Sequence, residues 1–104
     1  MEIVLEIEGK EKLFTASIKP MLARRKYLEL EAKAEERKGP ATAKDLLREE
    51  TEMASILANV VFKGQFTVDE LLVGCEFETV VAKLNEAVFG IKEVEEVEEL
   101  EEKN

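Results

Sequence analysis

The side chains of this sequence that could take part in catalysis are few. The 104-residue chain contains no His, which excludes Ser-His, Cys-His and His-metal sites. Its single cysteine, Cys75, follows Gly74 at a predicted helix N-terminus, where the helix dipole would lower the pKa of the thiol. Because no histidine is present to act as its base, a buried structural role is the favoured interpretation of Cys75.

Two acidic groups could bind a divalent cation. They are Glu49, Glu50 and Glu52 in one predicted helix and the pair Glu76 and Glu78 in another. A solvated helix face is the favoured interpretation of both groups. The five glycines are widely scattered and form no phosphate-binding loop. The sequence therefore predicts a protein that is not an enzyme and has neither a cofactor nor a metal site.

Charge and hydropathy describe a soluble protein. The chain is 45% apolar and 38% charged, and its 24 acidic and 15 basic side chains give a net charge of −9. It contains no apolar run of roughly 18 residues that could span a bilayer. Acidic and apolar residues alternate from Glu2 onward, unlike a secretory signal. We therefore expect an acidic, cytoplasmic protein without a membrane partner.

The negative charge is concentrated at the C-terminal end. Residues 93–104 contain seven Glu and one Lys, a net charge of −6. Such a segment repels phosphate, so nucleic acid is not an expected partner. Val94, Val97 and Leu100 recur every third residue among the acids, which forms a loose apolar stripe. The sequence predicts one domain over residues 1–92 and an acidic tail over 93–104 that is frayed or becomes helical on a partner.

A β-hairpin is predicted at the N-terminus. Ile3, Leu5 and Ile7 alternate with polar residues and would share one strand face. The pair Gly9-Lys10 suits a two-residue turn, and residues 12–16 read as the return strand. A two-stranded hairpin is marginal alone in water, so it must pack on the helices that follow.

The first two helices are predicted over residues 18–37 and from Thr42 onward. Ser17 can cap the first helix. Its apolar stripe is Ala23, Tyr27, Leu30 and Ala34, widened by Met21, Leu22 and Leu28. The second helix begins at a capping-box pattern, Thr42 to Asp45. Its apolar stripe is Leu46, Met53, Leu57 and Val60, joined by Ala54 and Val61.

A short third helix is predicted from the capping box formed by Thr67 and Glu70 to Gly74. The last helix runs from about residue 76 to Gly90, with the apolar stripe Phe77, Val81, Leu84 and Val88. The predicted fold class is α+β, mostly helical: an N-terminal β-hairpin followed by three to four α-helices.

Some large apolar residues fall off these stripes. Phe62 lies roughly 140° from Leu57 if each residue turns the helix by about 100°. Phe89 lies about 120° from Phe77 by the same rule.

Leu47 and Ile56 also lie at the margin of the second helix's stripe. These residues either belong to a core that surrounds the helices on more than one side or form a surface for a partner or a second copy. On the second interpretation, the predicted partner-binding residues are Phe62, Phe89, Val94, Val97 and Leu100.

A run of basic residues, Arg24-Arg25-Lys26, lies in the first predicted helix, with Lys19 and Lys33 on either side. It is either a solvated face or the surface that contacts the Glu-rich tail of another subunit. The second alternative predicts self-association that weakens with added salt.

The order of elements resembles the tail assembly chaperones of long-tailed phages and prophages of Gram-positive bacteria. The similarity lies first in the hairpin that leads into residues 12–20, followed by residues 23–30. It also lies in the Glu-rich helix at 49–61 and in the stretch GQFTVDELLVG at 64–74 before a final amphipathic helix. Together these stretches account for most of residues 1–92.

The resemblance implies a small, non-catalytic protein that binds the long, hydrophobic tape measure protein before the tail tube forms and leaves before the tail is finished. In many such phages a ribosomal frameshift adds a second domain. We therefore expect the tape measure protein and further copies of the chain as partners, in the host cytoplasm. The main alternative is a minor structural or head–tail connector protein retained in the virion. Less favoured are an enzyme based on Cys75 or the Glu groups, and a host-directed regulator whose tail mimics nucleic acid.

Overall fold

The computed structural model of the chain describes residues 1–91. A two-stranded antiparallel hairpin precedes four α-helices, so the predicted mostly helical α+β fold is confirmed. The elements are β1 (Glu2–Ile7), β2 (Lys10–Thr15), α1 (Met21–Glu35), α2 (Ala43–Ser55), a π-helical segment (Ile56–Val61), α3 (Val68–Gly74) and α4 (Phe77–Phe89).

The hairpin turn lies one residue earlier than predicted. Ile7 pairs with Lys10, so Glu8 and Gly9 form the two-residue loop, with φ of 54° and 79°. Positive φ at both central residues is what a type I′ turn requires, and this turn matches the twist of the two strands. Lys10 is therefore the first residue of β2, and the predicted turn Gly9-Lys10 is wrong by one position.

One face of the hairpin closes the core, as the alternation in β1 predicted. Ile3 and Leu5 are buried, and Phe14, opposite Ile3 on β2, packs against Phe66 with ring centres 5.0 Å apart. The Gln65 side chain donates a hydrogen bond to the Thr15 carbonyl at 2.8 Å. These contacts join the hairpin to the loop that precedes α3.

The start of α1 differs from the prediction. The helix begins at Met21, and Pro20 rather than Ser17 takes the N-cap position. Pro20 has φ of −63° and ψ of 142°, the extended geometry typical of a residue just outside a helix. The centre of the predicted stripe is confirmed, since Ala23 and Leu30 are buried and Tyr27 is half-buried. The prediction that Met21, Leu22 and Leu28 widen it is wrong, because all three are exposed.

Both predicted capping boxes are present. The Thr42 hydroxyl accepts from the Asp45 N–H at 3.2 Å, and the Asp45 carboxylate accepts from the Thr42 N–H at 3.0 Å. Thr67 and Glu70 form the same reciprocal pair at the start of α3. Each box satisfies two N–H groups that the helix itself leaves without partners, so these two helix starts are set locally.

The α-helical hydrogen bonding of the second helix ends at Ser55. From Ile56 to Val61 the chain forms a π-helix, and the Phe62 N–H donates to the Leu57 carbonyl at 2.9 Å. This bond joins residues five apart, so Phe62 lies one turn above Leu57 instead of roughly 140° from it. Phe62 is fully buried and packs against Phe66 with ring centres 5.3 Å apart.

The buried face of α4 is rotated from the predicted stripe. Its buried residues are Val80, Leu84, Ala87 and Val88. Phe77, which the prediction placed in the stripe, is 60% exposed. Tyr27 of α1 packs against Phe89 at the end of α4, and Phe77 lies at the opposite end of the helix. Gly90 ends the helix with φ of 73°, and its N–H donates to the Glu86 carbonyl at 2.9 Å.

Candidate binding surfaces

Cys75 does not have the environment of a nucleophile. It is the half-buried, extended residue that follows α3. Burial is the main factor that raises the pKa of the Cys75 thiol, and the neighbouring Glu76 carboxylate raises it further. The predicted lowering of this pKa by a helix dipole is therefore wrong, since desolvation of the thiolate outweighs it.

We predict that Cys75 alkylates more slowly in the folded protein than in the unfolded chain at pH 8. A raised pKa leaves a smaller fraction of thiolate, the reactive form, at any pH below it. Iodoacetamide labelling followed by mass spectrometry, with and without denaturant, measures both rates. Faster labelling of the folded protein would show that the thiol is activated.

Glu49 and Glu50, of the first acidic group, each have a place in the fold that involves no metal ion. Glu49 accepts a hydrogen bond from Arg37, which ties α2 to the end of α1. Glu50 lines a cleft described below, and over residues 1–91 it forms no ion pair. Within the same residues, no three carboxylate or thiol groups are arranged to hold a metal ion.

The predicted partner-binding residues Phe62 and Phe89 differ in exposure. Phe62 is fully buried, so the prediction that it lies on the surface is wrong, because the π-helical turn directs it into the core. Phe89 is 45% exposed and lies at the end of α4. Val94, Val97 and Leu100 lie outside the described residues, and their role as contact residues stays a prediction.

Phe89 belongs to an aromatic cluster with α1. Its ring meets Tyr27 edge to face, with ring centres 5.6 Å apart, and the Arg24 guanidinium lies 5.7 Å from its centre. Burial, followed by the nearby Glu31 carboxylate, raises the pKa of Tyr27, so the phenol is neutral at physiological pH. The cluster joins the end of α4 to the first turns of α1 and leaves almost half of Phe89 available to a partner.

A second exposed apolar surface is a cleft of about 170 Å³ among α2, α3 and α4. We call it the α2–α3 cleft; its lining residues are Glu50, Met53, Ala54, Leu72, Cys75, Phe77 and Val80. Leu72 is 51% exposed at its rim, beside Phe77. Glu50 is the only charged side chain among the lining residues.

The cleft is open because α3 is too short to cover α2. Helix α3 has 7 residues and α2 has 13, which correspond to lengths of about 10 and 20 Å. Leu46 and Leu47 lie within roughly 120° of Met53 and Ala54 around α2, so they extend the same face. They are 48% and 66% exposed. The first turns of this apolar face are therefore available to a partner.

The hairpin contributes a smaller apolar patch on its outer face. Val4 and Leu13 are directly opposite each other and are 48% and 59% exposed. Sequence reasoning missed this pair and the cleft, although it noted Leu47. The alternation in β1 already placed Val4 on the outer face. The short interval from the Thr67 capping box to Gly74 was the signal that α3 would leave part of α2 uncovered.

The chain matches the family described as phage tail chaperone protein over residues 1–104, and it belongs to that family. The expected class of protein, a phage tail chaperone, is thereby confirmed. No curated protein and no solved structure matches the chain. Of the helices within residues 1–91, none has the length and apolar character needed to cross a membrane.

Proposed function

We propose that this phage tail chaperone binds the tape measure protein and keeps it soluble during tail assembly. The observation that supports this role is an open apolar cleft on a small acidic domain of this family. The protein acts without catalysis, by apolar contacts and self-association, in the host cytoplasm. It leaves before the virion is complete.

The α2–α3 cleft suits one side of an amphipathic helix. An apolar groove binds such a helix through side chains spaced three or four residues apart. Phe77 lines the cleft and is 60% exposed, and Leu47, on the first turns of α2 that extend the cleft's apolar face, is 66% exposed. Glu50 in the cleft wall favours a client segment that carries a basic residue beside its apolar side chains.

Phe89 and the stripe Val94, Val97 and Leu100 are the other contact residues of this proposal. Phe89 is exposed and lies 2 residues before the end of the described chain, so it is continuous with the stripe in sequence. Several copies bound along one long client would repeat these weak contacts, and multivalency would raise the overall affinity.

Co-expression with the tape measure protein tests this function. We expect the wild-type protein to shift the tape measure protein into the soluble fraction and to co-purify with it. The double variant Leu47→Ser/Phe77→Ser should recover at least tenfold less client, because each large apolar contact contributes about 1.5–3 kcal/mol. The control Val4→Thr/Leu13→Thr removes two apolar side chains from the hairpin and should behave like the wild type.

Two results would contradict the proposal at different levels. A tape measure protein that is equally insoluble with and without this chain excludes the chaperone function. Equal recovery with the cleft variant and the hairpin control excludes the cleft as the client site. Mass spectrometry of purified particles separates a chaperone, which should be absent, from a connector protein retained in the virion.

A further inference from the structure

The start of α1 and the residues before it combine positive charge with exposed apolar side chains. Residues 18–28 carry four basic side chains and no acidic one. Met21 is 72% exposed, and Leu22 and Leu28 are 49% and 46% exposed. We call this surface the α1 cationic face; its residues are Ile18, Lys19, Met21, Leu22, Arg24, Arg25, Lys26 and Leu28. It is both apolar and cationic, which suits a ligand that is both apolar and acidic.

The described part of the chain ends beside this face. Phe89 packs against Tyr27 and lies under the Arg24 guanidinium, which fixes the end of α4 on the first turns of α1. Gly90 then turns the backbone at φ of 73°, and Ile91 is 51% exposed. The last described residues, Gly90 and Ile91, therefore directly follow a residue whose ring centre lies 5.7 Å from the Arg24 guanidinium.

The charge and the apolar pattern of the C-terminal segment complement the face. Residues 93–104 have a net charge of −6, and Val94, Val97 and Leu100 supply an apolar residue at every third position. Twelve residues span about 18 Å as a helix and about 40 Å when extended. The helical part of the face, residues 21–28, spans about 12 Å at the helical rise, so the segment is long enough to cross it in either form.

We propose that residues 93–104 dock on the α1 cationic face of the same chain. A segment tethered beside its binding surface has an effective concentration in the millimolar range, which favours its own α1 over that of a second copy. The α2–α3 cleft is a poorer site for this segment, because the carboxylate of Glu50 lines it. This docking does not depend on client binding. A client that contacts Val94, Val97 and Leu100 has to displace the segment from α1.

Paramagnetic relaxation enhancement in the full chain tests the docking. Cys75→Ser removes the native thiol, and Asn104→Cys provides a single site for a nitroxide label. At low ionic strength we expect amide signals of residues 19–28 to broaden more than those of β2. The broadening should fall at least threefold in 0.5 M NaCl, where the Debye length is about 4 Å. It should fall similarly in Arg25→Glu/Lys26→Glu.

A matched charge change elsewhere is the control. Lys10→Glu/Lys12→Glu alters the net charge equally, but on the hairpin, and should leave the broadening of α1 unchanged. Uniform broadening, or equal loss in the two charge variants, would overturn the proposal. A mixture of nitroxide-labelled unenriched protein with unlabelled ¹⁵N protein detects docking between copies. Broadening in that mixture as strong as in the singly labelled chain would also overturn it.

Failure of this proposal is distinguishable from failure of the chaperone function. If Val94→Ser/Val97→Ser/Leu100→Ser lowers recovery of the tape measure protein and α1 shows no broadening, the stripe acts on the client and does not dock on α1. If α1 is broadened and the client stays insoluble, the docking holds without the chaperone function.

Discussion

Replacing Phe62 by Ala should lower the free energy of unfolding by about 3–5 kcal/mol, the range for a buried Phe reduced to Ala. The Phe62 side chain is fully buried and contacts Phe66, which in turn contacts Phe14 of the hairpin. Its loss leaves a cavity beside Phe66, between the end of the π-helical turn and the loop that precedes α3. Urea unfolding followed by circular dichroism at 25 °C measures the change.

Phe89→Ala is the matched control for this variant. The same chemical change at a residue that is 45% exposed should cost less than about 1.5 kcal/mol, because less apolar surface returns to water. The periodicity of the sequence treated Phe62 and Phe89 as equivalent off-stripe residues. Similar losses of stability for the two variants would mean that Phe62 does not occupy the core.

Gly74→Ala should destabilise the protein by about 3 kcal/mol, near the upper limit for overpacking. A Cβ at Gly74 would overlap the backbone carbonyl oxygen of Glu6 in β1. A flexible side chain could move away, but a strand carbonyl held by the hairpin ladder cannot do so without displacing β1. The expected result is a lower urea midpoint with an unchanged dependence on denaturant.

Gly39→Ala tests whether the effect at Gly74 comes from this close approach. A Cβ at Gly39 meets no atom within 4 Å. The substitution should be neutral or should stabilise the protein by up to about 1 kcal/mol, since it restricts the unfolded chain. If the two glycine variants have the same stability, α3 and β1 are not packed as closely as the structure places them.

The two core variants also bear on the binding surfaces. Phe62 and Gly74 hold the hairpin and α3 in place, and α3 supplies Leu72 and Cys75 to the α2–α3 cleft. A client-binding defect in either variant would follow from altered geometry of the cleft. The client test therefore substitutes Leu47 and Phe77, whose side chains are mostly exposed and contribute little to the core.

Local signals in the sequence determined where most elements begin and end. The capping boxes at Thr42 and Thr67 specify two helix starts because each one satisfies backbone N–H groups within four residues. Gly90 ends α4 because its positive φ is accessible to glycine at little cost. The alternation of Ile3 and Leu5 likewise identified the buried face of the hairpin. These features depend on near neighbours in the chain, so they could be predicted without the fold.

The sequence also carried the family resemblance and the distribution of charge, which together indicated the class of protein. The candidate site was predicted less well. Phe89 is exposed as expected, whereas Phe62 is buried, and the α2–α3 cleft was not predicted. Val94, Val97 and Leu100 lie beyond the described residues, so their place in the site is still a prediction.

Only the tertiary structure decided which apolar residues face the core. A change from α to π hydrogen bonding after Ser55 altered the rotation of the chain and buried Phe62. The shortness of α3 left Leu47 without a covering helix. Tyr27 of α1 packs against Phe89 at the end of α4, and Phe77 at the other end is exposed. Helical periodicity defines the angle of a side chain about its own axis. Whether that side chain is buried depends on which other element packs against it, and that element is distant in sequence.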